Sequence, residues 1–189
     1  MPRTFMMVDC ETLALTPDAL ITQIAVGVYD RDAGQITSML VLHPDTHEQS
    51  NRRIDYDTVS WWMKQSAPAR EAVFGYTGER FKKARIREIL HAFCANAEGG
   101  IWAAPSAFDF ALLRDYFDAC TPWSYRAERD MTTLRRLIDP DSTLEPPSDA
   151  AREHDAAYDV EWQSTYLTLL LARFDRLRGP DFRLQGLDK

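Results

Sequence analysis

The residues of this sequence that are best suited to chemistry are four carboxylates in three separate segments and one histidine. They are Asp9, Glu11, Asp109, Asp159 and His154. Acidic side chains beside hydrophobic runs are costly to bury unless a positive group occupies the same site. Hard divalent cations prefer carboxylate oxygens, and a pair of such cations is suited to the hydrolysis of a phosphodiester. The sequence therefore predicts a binding site for two divalent metal ions.

The spacing of the first two carboxylates fits one side of a β-strand. Asp9 and Glu11 come at the end of a short apolar run. Residues i and i+2 of a strand point the same way, so both carboxylates face one side while Cys10 faces the other. Asp109 stands between a short predicted strand and an apolar helix, where it is also suited to cap a helix that starts at Phe110. That structural role for Asp109 stays open at this point.

His154 and Asp159 are placed at the predicted beginning of the last long helix, which starts near Asp155. On a regular helix, side chains at this separation diverge by about 140°. The two side chains converge only if His154 lies in the preceding loop or in a frayed first turn. We expect this placement, because the helix begins within residues 153–157. Taken alone, His154 is also compatible with a surface histidine, and its acidic neighbours favour the site.

Apolar runs and turn residues predict the elements that position these side chains. The predicted strands cover residues 4–8, 21–29, 36–42 and 101–104. The first predicted helix is capped at Asp57-Thr58, and a second starts at Pro68. Further helices are predicted over residues 79–97, 110–120 and 130–137, followed by the last long helix. A turn at residues 32–34 joins the second and third strands into a hairpin. This order predicts a single α/β domain over residues 1–189, with a mixed β-sheet whose first three strands are antiparallel and which helices flank.

Composition limits the class of protein. The 189 residues are 45% hydrophobic and 27% charged, which is typical of a soluble globular protein. No apolar stretch approaches the roughly 20 residues that span a bilayer, and no signal-peptide cleavage site follows the N-terminus. The three cysteines, Cys10, Cys94 and Cys120, are widely separated, which favours a reducing compartment over a disulfide framework or a zinc site. We therefore expect a cytoplasmic protein without a membrane partner.

The net charge of −7 at pH 7 bears on the choice of partner, because nucleic-acid-binding proteins are usually basic. An acidic protein is expected to hold a short stretch, such as a strand end, through metal ions and a few local cations. The candidate cations are Arg52, Arg53, Lys82, Lys83, Arg85, Arg87, Arg126 and Arg129. For residues 82–87, a solvated helix face is the favoured alternative.

Taken together, the five chemical residues resemble the DEDDh group of 3′–5′ exonucleases. This group belongs to the RNase T-like or DnaQ-like superfamily, which has a ribonuclease H-like fold. The resemblance is strongest to the branch that contains exonuclease A of T-even phages and a mycobacterial 3′–5′ exoribonuclease, and it extends over about residues 5–170. Beyond the acidic motifs it rests on TVSWWMKQS at residues 58–66, Ala69-Arg70, Pro122-Trp123 and RDMTT at residues 129–133.

The resemblance implies a metal-dependent exonuclease that releases nucleoside monophosphates from the 3′ end of single-stranded RNA or DNA. In such an enzyme, Asp9, Glu11 and Asp159 hold a first Mg²⁺. Asp9 bridges to a second Mg²⁺, which Asp109 also holds, and Mn²⁺ is expected to substitute. His154 acts as the general base, because a histidine with an ordinary pKa near 6.5 is suited to proton transfer at neutral pH. A homodimer is compatible with the resemblance, since many relatives are dimers.

Four residues are expected to contact the terminal nucleotide. Thr12 and Leu13 directly follow the metal-binding segment, and their backbone groups are suited to this contact. Phe108 and one of the two adjacent tryptophans, Trp61, are suited to stack on a base. Trp62 shares a helical face with apolar residues, so a place in the core is favoured for it.

Three other functions stay open. The first is a catalytically inactive nucleic-acid-binding module of the same fold, although the intact set of five chemical residues counts against it. The second is a small-nucleotide phosphohydrolase, which would use the same metal chemistry on a free nucleotide. The third is a nuclease that cuts internally, which differs from an exonuclease in the length of its products.

Overall fold

The computed structural model describes residues 2–96 and 98–178. The strands are β1 (Thr4–Thr12), β2 (Ile21–Asp30), β3 (Gln35–Leu42), β4 (Ile101–Ala103) and β5 (Glu128–Asp130). The helices are α1 (Tyr56–Trp62), α2 (Ala67–Arg70, followed by a π-helical turn over Glu71–Gly75), α3 (Lys83–Phe93), α4 (Ser106–Tyr116), α5 (Met131–Ile138) and α6 (Ala156–Arg178). No helix among the described residues is long and apolar enough to cross a membrane.

The five strands form one mixed sheet in the order β3-β2-β1-β4-β5. β1 pairs antiparallel with β2, and β2 pairs antiparallel with β3. β4 pairs parallel with β1 on its other side, and β5 pairs parallel with β4. β1 therefore lies at the centre of the sheet, and this explains why nearly all of its residues are buried. The predicted mixed sheet with three antiparallel first strands is confirmed.

Helices cover both faces of the sheet. Met6 and Val8 of β1 belong to a core that also contains buried residues of α3 and α4. Phe5 and Met7 point to the opposite face, where buried residues of α6 pack against them. This division follows from the strand period of two, which sends successive side chains of β1 to opposite faces. The two layers of helices hold β1 in place between them.

The helix boundaries differ from the sequence prediction. α4 begins at Ser106, not at the predicted Phe110, so the alternative role of Asp109 as the cap of this helix is excluded. Pro105 precedes the helix in an extended conformation, and α4 starts directly after it. α1 begins at Tyr56, so the predicted cap at Asp57-Thr58 is also wrong. α3 is shorter than the predicted helix over residues 79–97, and residue 97 itself lies outside the described residues.

The strand β5 was not predicted, because it is short and largely polar and therefore shows no apolar run. Asp130 ends this strand and caps α5 by accepting a hydrogen bond from the Thr133 N–H. The same carboxylate accepts a hydrogen bond of 2.8 Å from the Ser106 N–H at the start of α4. Asp130 therefore joins the beginnings of two helices, one of which carries Asp109.

Candidate active site

The end of β1 and the beginning of α6 bring three of the predicted carboxylates together. Asp9 and Glu11 lie on β1, and Asp159 lies in the first turn of α6. One carboxylate oxygen from each of the three side chains can be chosen so that the three oxygens all lie within 4.8 Å of one another. We call these three residues the acidic trio. β1 pairs with β2 as far as Glu11 opposite Gln23, so the sheet fixes the register of the two strand carboxylates.

Asp109 lies beside the acidic trio without being part of it. It occupies the first turn of α4 and is 2% exposed. Burial raises the pKa of Asp109 well above its ordinary value, and the nearby charge of Asp9 raises it further. Hydrogen bonds from the backbone of Asp109 itself and of Cys10 act in the opposite direction. The Asp109 carboxyl group is therefore directed at β1, next to the strand position between Asp9 and Glu11.

His154 lies in the loop that precedes α6, as the sequence predicted. Its backbone has a φ of 67°, a left-handed conformation that is uncommon for a residue other than glycine. This conformation directs the His154 N–H toward Asp159 Oδ2, to which it donates a hydrogen bond of 3.2 Å. The imidazole ring packs edge-on against Trp61, with ring centroids 4.7 Å apart. Burial lowers the pKa of His154, although the charge of Glu153 acts against this.

The acidic trio is unfavourable when all three carboxylates are ionised. Burial raises the pKa of Glu11 well above its ordinary value, and the charges of Asp9 and Asp159 raise it further. Burial and the charge of Asp9 raise the pKa of Asp159 to about 8. Burial also raises the pKa of Asp9, to about 6, although a hydrogen bond from Gln163 lowers it. Each of these shifts has the same cause, which is that water is excluded from neighbouring like charges.

The donor atoms of the acidic trio fit a divalent cation. Glu11 Oε1 is buried and has no hydrogen-bond partner. Within the described part of the chain, no arginine or lysine forms an ion pair with any of the three residues. Buried carboxylate oxygens are costly without a donor or a cation, and hard oxygen ligands are preferred by Mg²⁺ and Mn²⁺. The acidic trio therefore fits the chemistry of a divalent cation, and the predicted pair of metal ions stays a prediction.

An apolar groove of about 440 Å³ lies next to Glu11. Its lining residues come from β1, the following loop, α1 and α4: Cys10, Glu11, Thr12, Leu15, Asp57, Thr58, Trp61, Trp62 and Phe108. Three of the four predicted substrate contacts, Thr12, Trp61 and Phe108, are among them. The Trp61 side chain is 43% exposed, so its ring is accessible from the groove.

Leu13 does not line the groove, which differs from its predicted contact with substrate. Its side chain is buried in a small cluster with Leu20 and Trp62. The Leu13 N–H donates to Leu20 O, and the Leu13 carbonyl accepts a hydrogen bond from the Asp55 N–H. Trp62 is 2% exposed and donates from Nε1 to Thr12 O at 2.8 Å, so its predicted place in the core is confirmed. The N–H and the carbonyl group of Leu13 are therefore both hydrogen-bonded within the protein.

Two buried glutamines support the site and were missed in the sequence. Gln163 lies one turn after Asp159 on α6, and its Nε2 donates to Asp9 Oδ1 at 2.8 Å. Gln23 lies on β2, and its Oε1 accepts a hydrogen bond of 2.9 Å from the Ala156 N–H at the start of α6. The available signal for Gln23 was a polar residue inside an apolar strand. For Gln163 it was the spacing of four residues from Asp159, which places both on one helical face.

Half of the eight predicted cations are paired with acids. The ion pairs are Arg52 with Asp115, Arg53 with Asp55, Lys83 with Asp118, and Arg85 with Glu88. Lys82 and Arg87 are exposed, in agreement with a solvated helix face. Arg126 and Arg129 are also exposed, and neither forms an ion pair within the described residues. Their charge is therefore not neutralised by a neighbouring carboxylate.

Solved structures of exonuclease I share the fold of this chain. Escherichia coli exonuclease I in a metal-free complex with single-stranded DNA gives a TM-score of 0.56 at 16% identity, over 96% of this chain and 41% of that chain. The zinc-bound form of this complex gives 0.57 at 17% identity, over 96% and 42%. Exonuclease I in its apo form gives 0.62 at 17% identity, over 94% and 44%. This chain thus spans less than half of the length of those chains, and at these identities the likeness shows the fold alone.

Family membership rests on a separate sequence match. No curated protein matches this chain significantly. The family model described as the 3′–5′ exoribonuclease Rv2179c-like domain matches residues 4–171. This range contains all five predicted chemical residues and covers most of the sequence, in agreement with the predicted resemblance. The chain therefore belongs to the family of Rv2179c-like 3′–5′ exoribonuclease domains.

Proposed function

We propose that this chain is a metal-dependent 3′–5′ exonuclease that releases nucleoside monophosphates from the 3′ end of a single strand of nucleic acid. The observation that carries this proposal is an acidic trio beside an apolar groove in a member of an exoribonuclease family. The family description favours RNA, and DNA stays a second possible substrate. The single-stranded DNA bound by E. coli exonuclease I supports a single strand as the ligand. A cytoplasmic location and a homodimer stay predictions from the sequence.

The acidic trio would hold one divalent cation, and Asp109 would help to hold a second. Mg²⁺ is the expected ion and Mn²⁺ its substitute, because both prefer hard oxygen ligands. Such ions, when bound, would lower the pKa of a water molecule and offset negative charge on the phosphodiester. The contribution of the protein is to hold carboxylates from β1, α4 and α6 at one site, although burial and their mutual charge raise their pKa values.

His154 is proposed to act as the general base that takes a proton from the attacking water. Burial lowers its pKa, so the imidazole ring is neutral near pH 7 and has a nitrogen free to accept a proton. The hydrogen bond from its backbone holds His154 next to Asp159, and the edge-on contact holds its ring against Trp61 of the groove. Its position therefore depends on two other residues of the site.

The apolar groove is proposed to receive the terminal base. Trp61 and Phe108 supply aromatic surface, and stacking on a base is worth ~1–3 kcal/mol for each aromatic side chain. Glu11 and Thr12 line the same groove, so a base bound there would place its sugar and phosphate close to the acidic trio. The proposal leaves Leu13 out of this contact, because its side chain is buried and its backbone groups are hydrogen-bonded within the protein.

A 5′-labelled single-stranded RNA and the DNA of the same sequence provide the test. Wild-type protein and Asp9→Ala are incubated with each strand in Mg²⁺, Mn²⁺ or EDTA, and the products are separated on a sequencing gel. We expect the wild type to produce a metal-dependent ladder that shortens from the 3′ end, and Asp9→Ala to produce none. Internal fragments would instead indicate a nuclease that cuts within the strand.

The two remaining alternatives give other results in the same experiment. Binding of the labelled strand without degradation in any metal indicates an inactive nucleic-acid-binding module. Release of phosphate from free nucleotides without any shortening of the strand indicates a small-nucleotide phosphohydrolase. Either result would overturn the proposal, and neither is favoured by a particular observation in the structure.

A further inference from the structure

Gln163 is a buried residue of α6 that the proposed mechanism does not use. Its Nε2 donates a hydrogen bond of 2.8 Å to Asp9 Oδ1, and the residue is 8% exposed. We propose that Gln163 is a positioning residue that holds the Asp9 carboxylate in the orientation in which it binds the cation. This inference rests on the metal site of the proposed function and extends it to a residue outside the ligand set.

The position of Gln163 on α6 connects two members of the acidic trio. Gln163 follows Asp159 by four residues, so the two side chains lie on the same face of the helix. Asp159 contributes its own oxygen to the trio, and Gln163 reaches across to Asp9 on β1. Val160 and Leu167 pack α6 against the sheet, so the position of Gln163 relative to β1 is set by core packing. One helix therefore supplies one carboxylate directly and holds a second through an amide.

The hydrogen bonding of the amide allows one orientation. Gln163 Oε1 is buried and has no hydrogen-bond partner. If the amide were rotated by half a turn, Oε1 would face Asp9 Oδ1, and two acceptors would repel each other. An unsatisfied buried oxygen is costly, whereas a hydrogen bond to an ionised carboxylate is stronger than one between neutral groups. The bond to Asp9 therefore determines how the amide is oriented, and the amide in turn restrains Asp9.

This restraint matters because the carboxylate torsion of an aspartate is broad and is not fixed by its rotamer alone. With Oδ1 held by Gln163, the other oxygen of Asp9 is left for the cation. Groups that hydrogen-bond to a metal ligand typically change metal affinity by about 10- to 100-fold. Loss of the Gln163 amide should therefore weaken metal binding although no ligand is removed.

The test is isothermal titration of Mn²⁺ into the wild type, Gln163→Met and Gln163→Asn, without nucleic acid. Methionine is similar in length and has no donor, while asparagine keeps the amide but is one methylene too short to reach Asp9. Ser164→Ala is the matched control, because Ser164 is fully buried on the same helix and its hydroxyl has no hydrogen-bond partner. Thermal unfolding in EDTA shows which variants are folded. Two Gln163 variants are used, so that the test can still be made if one of them misfolds.

We expect the Mn²⁺ dissociation constant to rise about 10- to 100-fold in both Gln163 variants and to stay unchanged in Ser164→Ala. In the strand-shortening assay, the Mn²⁺ concentration for half-maximal rate should rise in parallel while kcat recovers at saturating Mn²⁺. A purely structural role would not produce this separation. A dissociation constant within about threefold of the wild type in a folded variant would overturn the inference. Weaker Mn²⁺ binding in a protein that shortens no strand would support the positioning role and overturn the exonuclease.

Discussion

Asp139 and the acidic trio are two regions of this protein in which carboxylates are buried or half-buried, and they differ in what surrounds the charge. Asp139 is 1% exposed and accepts hydrogen bonds of 2.7 to 2.9 Å from Thr143, Leu144 and Tyr166. The guanidinium group of Arg173 lies 3.4 Å from it. Burial by itself would raise the pKa of Asp139, but these hydrogen bonds outweigh burial and lower the pKa to about 2.

The acidic trio has no comparable set of donors among the described residues. Asp9 and Asp159 each accept one hydrogen bond, and Glu11 Oε1 accepts none. Burial raises the pKa of all three. The hydrogen-bond donors around Asp139 pair with its carboxylate oxygens and thereby stabilise the fold. The trio instead leaves carboxylate oxygens unpaired and available to a ligand from outside the chain.

The largest effect should come from removing a carboxylate of the trio. Asp9→Ala should lower the exonuclease rate by about 10³-fold or more, because metal ions supply several kcal/mol of charge stabilisation and each ~1.4 kcal/mol is tenfold in rate. The rate is measured with the labelled strand at saturating Mg²⁺. Asp139→Asn is the control from the other region. If a folded Asp139→Asn lost as much activity, the distinction between the two regions would be wrong.

The next largest effect should come from His154, which lies beside the trio and is not a proposed metal ligand. His154→Ala should lower the rate by about 10²- to 10⁴-fold, the range expected for a general base. Its Mn²⁺ affinity should stay close to that of the wild type, since its contact with Asp159 runs through the backbone, which the substitution keeps. Rate measurements and isothermal titration together check this. An unchanged rate would remove His154 from the mechanism.

Asp139→Asn should affect stability instead, lowering the melting temperature by roughly 5 °C because it disturbs a buried hydrogen-bond network. The folded pKa of about 2 is below the ordinary 3.8, so folding favours the ionised form. This stabilisation is present above about pH 4 and is lost as the pH falls toward 2. Thermal unfolding from pH 8 to pH 3 should show a constant difference between wild type and variant that shrinks below about pH 4. A difference that grows at low pH would contradict the assignment.

The smallest effect should have the opposite sign. Glu11→Gln in EDTA should raise the melting temperature by roughly 2–4 °C, because it removes a charge that is buried without a partner. Mn²⁺ should stabilise the wild type and have little effect on this variant. Thermal unfolding with and without Mn²⁺ measures both. A lower melting temperature in EDTA would show that the Glu11 carboxylate, like that of Asp139, is stabilised by contacts within the protein.

The sequence by itself determined the parts of this protein that depend on neighbouring residues. Strand alternation placed Asp9 and Glu11 on one side of β1, and the helix boundary placed His154 in the loop before α6. The five chemical residues together with the Trp61-Trp62 segment predicted the exonuclease family, and the family match confirmed this. These features are readable because each is encoded within a few residues of the chain.

Only the tertiary structure decided which distant groups meet. It placed Asp109 inside α4, buried Leu13 beside Trp62, and brought Gln163 to Asp9 across 154 positions of the chain. No local pattern predicts such contacts, because they depend on how α6 and α4 pack against the two faces of the sheet. The same packing decides the electrostatics. The trio and Asp139 consist of the same kind of residue, and the direction of each pKa follows from the burial, the hydrogen-bond donors and the neighbouring charges that folding brings to it.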